Sequence, residues 1–305
     1  MRKIYNERHM EIEEYATTLD VLRELDKRTE LNEEFIKELE HLEAKEKGIN
    51  KVLKLINYYA KAHWLYMTDL ALDYYGTVTC DLLLVTSAGI YLFEINDYEG
   101  TFTVKNNQCS IDDRKLNYNP IEDAHKMTSQ LSNIAPTYFS TLNIQGAAIF
   151  PGLNNEVIVS DDVKEVQIVI SDQLDNYFKK IVKKDKEHQN CPKITPEHLN
   201  WFEQIDYHFP INQTQVSAEA DKQLRKGILC CHCGNFNVNI DVPYISCGCG
   251  MHEPLEKAIV RTICEYGVLN NDKLLEVSSL LDFFDYQISE DTLYKYLDKH
   301  FTPMV

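Results

Sequence analysis

Residues 230–250 read CCHCGNFNVNIDVPYISCGCG, and no other stretch of the chain restricts its fold so tightly. Cys230 and Cys233 form a C-x2-C knuckle whose tight turn Gly234 permits, and Cys247 and Cys249 form a shorter C-x-C knuckle followed by Gly250. Phe236–Ile240, between the knuckles, has the spacing of a strand. Four thiolates on two turns joined by a hairpin suit a tetrahedral zinc ion and leave no position open to water, so the expected ion is structural. Such a closed site holds together a segment too small to build its own core. Cys231 and His232 lie inside the first knuckle, and either can replace Cys230 as ligand; Cys230 has the ordinary spacing. The chain has nine cysteines, and five lie between Cys230 and Cys249, whereas Cys80, Cys109, Cys191 and Cys264 are scattered. Clustering of this kind points to metal rather than to disulfides. His252-Glu253 is not a metalloprotease motif, because Glu256 stands where the second histidine would be.

The whole chain of 305 residues carries a net charge of −17, which argues against a general grip on nucleic-acid phosphates. Contact of that kind needs a local basic patch or bound cations. The opening MRKIYNERHMEIEEY is too polar for a signal peptide, and no apolar run nears the ~20 residues of a spanning helix. The expected setting is therefore cytoplasmic, with no membrane partner. Residues 1–47 read as an N-terminal helical arm, with stripes Ile12, Tyr15, Leu19, Leu22 and Leu31, Phe35, Leu39, Leu42 broken at Lys27–Thr29. Residues 48–182 mix strands with helices, which implies an α/β sheet covered by helices. Residues 183–226 read as a linker with short helices, 227–254 as the cysteine ribbon, and 255–305 as a C-terminal helical module capped at Asn271 and Ser289.

The segment CDLLLVTSAGIYLFEINDYEG, from Cys80 to Gly100, carries the densest functional pattern. Two apolar runs flank Ser87-Ala88-Gly89, a hairpin signal. In the second run Leu92, Glu94 and Asn96 share a face. A two-residue loop at Ser87-Ala88 sets Asp81 opposite Glu94, and a bulge at Gly89 would shift that register. Two carboxylates facing one another among apolar strands repel unless a positive charge lies between them. Magnesium, which takes one or two carboxylates and keeps several waters, resolves the conflict. Downstream, Asn119-Pro120 marks a helix start, with Glu122 and Asp123 at the positive helix end.

Taken together, Asp81, Gly89-Ile90, Glu94, Tyr98, Gly100 and Asn119-Pro120 resemble the nuclease-related domain, a branch of the PD-(D/E)XK nuclease superfamily, over roughly residues 48–180. The resemblance implies a PD-(D/E)XK nuclease-like mixed sheet flanked by helices. It also implies a catalytic magnesium held by Asp81 and Glu94, and nucleic acid as the partner. The family's lysine, which orients or activates the attacking water, falls at Asn96, and the asparagine after it at Asp97. The family's glutamine falls at Asp123, and the glutamate of its first helix has no counterpart in residues 48–52. Asn96 can hydrogen-bond a water but supplies no charge. Lys105 on the next strand can bring that charge from a neighbouring position, as can His125 and Lys126. The catalytic set is therefore Asp81, Glu94, Asn96 and Lys105, and the expected activity is a weak or lost magnesium-dependent phosphodiester hydrolysis. The alternative is an interaction module that keeps the nuclease fold without its chemistry, meeting a protein partner through its N-terminal and C-terminal helices. Residues 251–305 hold ten acids against five Lys/Arg, so Tyr294, Leu297 and Phe301 are expected to pack rather than read DNA.

Overall fold

The computed structural model describes residues 16–60, 64–73, 77–97, 100–105, 108–112, 114–116, 118–135, 143–152, 156–159, 166–188, 201, 224–270 and 276–301. They fall into two compact units, one within residues 40–209, the other within 16–39 and 210–305. Much of the expected linker, and Ile12, Tyr15, Tyr98 and Asn271, lie outside the described residues.

The first unit is built on a five-stranded sheet ordered β1-β2-β3-β7-β9. Its strands are β1 (Leu65–Asp73), β2 (Thr77–Thr86), β3 (Gly89–Ile95), β7 (Asn143–Phe150) and β9 (Val166–Ile170). The first three are antiparallel, and β3, β7 and β9 run parallel. A second sheet, ordered β6-β5-β4-β8, comprises β4 (Thr101–Lys105), β5 (Gln108–Ile111), β6 (Arg114–Lys115) and β8 (Glu156–Val159). This is the mixed α/β class expected from the sequence.

Helices cover both faces of the large sheet because β2 and β3 are apolar on both sides. Leu82, Leu84, Tyr91, Phe93 and Ile95 pack against α2 (Glu33–Tyr59) and α4 (Ser171–Glu187). Leu83, Val85, Ile90 and Leu92 pack against Met127 and Leu131 of α3 (Pro120–Ile134). Helix α3 starts where the sequence places it. Asn119 accepts hydrogen bonds from the Ile121 and Glu122 amides at 3.1 and 3.3 Å, and Pro120 occupies the first turn. Helix α2 runs unbroken through Gly48, where the sequence changes texture. A Cβ on Gly48 would lie 2.9 Å from Ile95 and 3.0 Å from Asp97, so the missing side chain lets α2 approach the end of β3 closely.

The second unit joins α1 (Thr18–Arg28) to α5 (Leu255–Leu269), α6 (Val277–Phe283), α7 (Glu290–His300) and the small sheet β10 (Val238–Asp241), β11 (Tyr244–Cys247) and β12 (His252–Pro254). A capping box starts α1, Thr17 and Asp20 bonding reciprocally at 2.9 and 3.2 Å. Arg28 ends the helix in full burial. Its guanidinium bonds Glu265 at 2.6 Å and the carbonyls of Arg225 and Gly227 at 3.0 and 3.2 Å, and lies 4.2 Å over the Phe283 ring. On α7 the buried stripe starts one residue earlier than expected: Leu293 is fully buried, Leu297 and Phe301 pack behind it, and Tyr294 is exposed. Ser289 caps the helix as expected, its hydroxyl accepting from the Thr292 amide at 3.3 Å.

Candidate functional site

The hairpin has the two-residue loop. Thr86 pairs with Gly89 and Leu82 with Phe93, a register that places Asp81 opposite Glu94. Asp81 is 2% exposed, and its Oδ2 accepts the Ile95 amide at 2.7 Å, continuing with a side chain the hydrogen-bonding that the ladder leaves off. Glu94 Oε1 is buried without a hydrogen-bond partner. Burial and then the nearby Asp81 carboxylate push the Glu94 carboxyl well above its ordinary range, and Lys45 works in the opposite direction.

Lys45, on α2, forms an ion pair with Asp81 Oδ1. Burial opposes its charge, but Asp81, Glu94 and Asp69 outweigh that effect and raise it above the ordinary lysine range. A cationic nitrogen therefore stands beside the carboxylate pair, supplied by a helix rather than a strand. Asp69 lies on β1 across from Asp81. The ladder pairs Thr68 with Leu82 and Leu70 with Cys80, while Asp69 between them adopts a left-handed φ of 56°. That conformation is uncommon for a non-glycine residue and interrupts a regular strand. Asp123, in the first turn of α3, is a fourth acid near the group; burial is the main reason its carboxyl is raised.

Asn96 is buried, and its Nδ2 has no hydrogen-bond partner. Its backbone amide continues the pairing of β3 with β7 by donating to Ile149 at 2.8 Å, which keeps its side chain on the Glu94 face. Asp97, on the opposite face, accepts from Lys51 of α2 at 2.7 and 2.9 Å. Lys105 is elsewhere, at the exposed end of β4 in the second sheet, and no contact among the described residues joins it to Asp81 or Glu94. His125 and Lys126 are exposed on α3, where Lys126 pairs with Glu122 at 2.8 Å.

Spacing arguments pass over Lys45 and Asp69. Each is one charged residue in a charged or amphipathic stretch, and only the crossing of α2 over the strand ends and the break in β1 set them apart. A lysine without a partner on the polar side of a predicted helix carries no signal of its own. Asp69, in the middle of the largely apolar LYMTDLALD, does carry a weak one, a charge interrupting a strand.

The cysteines converge in the second unit. The sulfurs of Cys230, Cys233, Cys247 and Cys249 all lie within 4.8 Å of one another, positioned to bind a metal ion. Cys230 is 3.7 Å from Cys249 and Cys233 is 3.6 Å from Cys247. Sulfurs bound tetrahedrally at about 2.3 Å would stand about 3.8 Å apart. Although burial opposes it, hydrogen bonds from the Cys233 and His232 amides and the Cys249 thiol lower Cys230 to about 6. Cys231 and His232 stand outside the group. Among the described residues no other set of three or more His, Cys, Asp or Glu ligand atoms is so close, so the acids of the hairpin offer a pair rather than a cage.

No curated protein and no solved structure matches the chain. Residues 43–151 match the family model of the nuclease-related domain, a span that holds Lys45, Asp69, Asp81, Glu94, Asn96 and Asp123 and excludes the cysteine ribbon. The chain thus carries a nuclease-related domain over residues 43–151.

Proposed function

We propose that the first unit is a magnesium-dependent nucleic-acid phosphodiesterase whose positive group is Lys45 instead of a strand lysine. The observation that carries this reading is the pairing of opposed carboxylates, Asp81 buried and Glu94 with one buried, unpartnered oxygen, beside a charged lysine. Asp81 and Glu94 would hold the ion, and a set of two carboxylates fits magnesium, which keeps several waters in such sites. When bound, the ion polarises the phosphoryl group and makes its water more acidic. Lys45, held charged, stabilises negative charge developing on phosphate oxygens. The free Nδ2 of Asn96 donates a hydrogen bond to a water or phosphate oxygen on the same face. The four cysteines would hold a structural zinc, separate from this chemistry.

One observation favours a second reading, in which the chain is a non-catalytic interaction protein. Lys45 already neutralises Asp81, so the ammonium itself can occupy the place of a cation. Calorimetric titration with magnesium and manganese, with cleavage assays on single- and double-stranded substrates, separates the two. The enzyme reading expects one divalent site lost in Glu94→Gln together with cleavage. A wild-type protein that neither binds a divalent ion nor cleaves leaves the interaction reading standing.

A further inference from the structure

From Lys47 to Ala60 the chain has no aspartate or glutamate, although 48 of its 305 residues are acidic. Residues 176–186 hold five lysines and one acid, the buried Asp185. These two stretches belong to α2 and α4, which lie on one face of the large sheet with Val52 and Ile56 of one and Phe178 and Ile181 of the other in a single core. Their outer surfaces therefore form one layer.

On α2 the positions 47, 51, 54 and 58 recur at the period of one helix face, opposite Val52 and Ile56. That face bears Lys47, Lys51, Lys54 and Tyr58, and at 1.5 Å per residue it spans roughly 16 Å. It begins at the candidate site, because Lys51 and Lys47 reach Asp97, three positions beyond Glu94, at 2.7 and 3.8 Å. Tyr58 is 78% exposed, and Tyr59 meets its ring edge-on with centroids 4.9 Å apart. Tyr59 is itself held by a hydrogen bond to Asp175 and by stacking on Phe178. On α4, Lys179, Lys180, Lys183, Lys184 and Lys186 are exposed. Against them stand the exposed carboxylates Asp172, Asp175 and Glu187, of which Asp175 pairs with Lys179.

We propose that the outer layer of α2 and α4 binds the phosphate backbone of a single-stranded nucleic acid, with Tyr58 stacking on a base and Lys47 marking the end nearest Glu94. Binding by this layer is independent of the nuclease reading, and only cleavage of the bound strand rests on it. An acidic chain needs a local basic surface to meet phosphates, and this layer supplies it. An exposed ring held in place by a second ring is the element that single-strand binders add to a basic track, and it tolerates any base sequence.

The test is fluorescence anisotropy of the full-length protein with labelled single-stranded and duplex oligonucleotides in EDTA, which removes cleavage and metal bridging. The proposal expects single-strand binding that weakens with salt. The variant carrying Lys54→Glu, Lys180→Glu and Lys183→Glu should bind at least tenfold more weakly, with the log–log salt slope reduced by about 2. The corresponding Lys→Gln variant, milder for folding, should lie between it and wild type. Tyr58→Ala should lower single-strand affinity roughly tenfold and leave the salt slope unchanged. Wild type that binds no oligonucleotide, binding unaffected by the lysine changes, preference for duplex, or preference for phosphatidylserine vesicles would each overturn the proposal. A parallel manganese titration keeps the two readings apart. Manganese bound without oligonucleotide sinks the basic layer alone, and oligonucleotide bound through the layer without manganese sinks the magnesium site alone.

Discussion

Lys45 reaches Asp81 from a helix, which changes what each residue of the hairpin is asked to do. Removing it leaves a buried carboxylate without its cation, a change that commonly costs several kcal/mol. Because the Lys45 side chain is 26% exposed, Lys45→Ala should lose about 3 kcal/mol, the lower end of that range. Magnesium should return part of the loss by standing in for the ammonium, seen as a melting temperature that rises with magnesium in the variant more than in wild type. A variant as stable as wild type and indifferent to magnesium would argue against the pair. For catalysis, Lys45→Ala should lower cleavage by roughly 10²–10³, the usual effect of losing one preorganised charge-stabilising group. Adding Asn96→Lys to Lys45→Ala should recover part of that rate, since Asn96 shares a strand face with Glu94. Lys105→Ala should change nothing. A rate that depends on Lys105 instead would place the working lysine in the second sheet.

At the scale of elements, the close approach of α2 to β3 depends on Gly48. A helical glycine replaced by alanine normally gains about 0.5–1 kcal/mol. At Gly48 the added methyl would meet Ile95 and Asp97 at 2.9–3.0 Å, so α2 must move. Gly48→Ala is expected to be destabilising by about 1–3 kcal/mol. Gly267→Ala in α5, where a Cβ meets nothing within 4 Å, should instead be stabilising. Opposite signs in paired denaturant melts would support the tight packing, and equal signs would refute it. The cysteine element makes a separate claim. Protein purified without chelator should hold about one zinc per chain, and Cys247→Ser should lose it while hydrogen exchange rises across residues 227–252. Protein free of zinc and still protected there would contradict a metal-held ribbon.

Across the whole molecule, no helix among the described residues is long and apolar enough to cross a membrane. The N-terminal helix α1 is part of the unit that contains the ribbon and the last three helices. Arg28 makes that attachment specific, with its side chain fully buried against Glu265. Arg28→Met should lower the stability of this unit by roughly 1–3 kcal/mol, because Glu265 loses one of its two cations and keeps only Arg261, 2.8 Å away. Replacing Glu265 by leucine as well should recover part of it, since Arg261 then still has Glu253 at 2.9 Å. The readout is hydrogen exchange in α5 and α7, with the first unit unchanged. A double variant no better than the single would mean that the packing of α1, rather than the ion pair, holds the unit together.

Sequence alone determined the features that are local in the chain. The Asn119 cap and the two cysteine knuckles depend on residues a few positions apart, whereas a two-residue loop and a bulge at Gly89 were both open to the hairpin until the structure paired Thr86 with Gly89 and set Asp81 opposite Glu94. Tertiary structure decided the features made by distant residues. Lys45 and Asp81 are brought together by the crossing of α2, Arg28 and Glu265 by the docking of α1, and Leu293 rather than Tyr294 joins Leu297 and Phe301 in the core of the last three helices. Lys105 failed as a neighbour for the same reason, since its strand pairs into a different sheet. A lysine on the polar side of an amphipathic helix looks the same in sequence whether it meets water or a buried carboxylate, and only the close approach that Gly48 allows distinguishes the two.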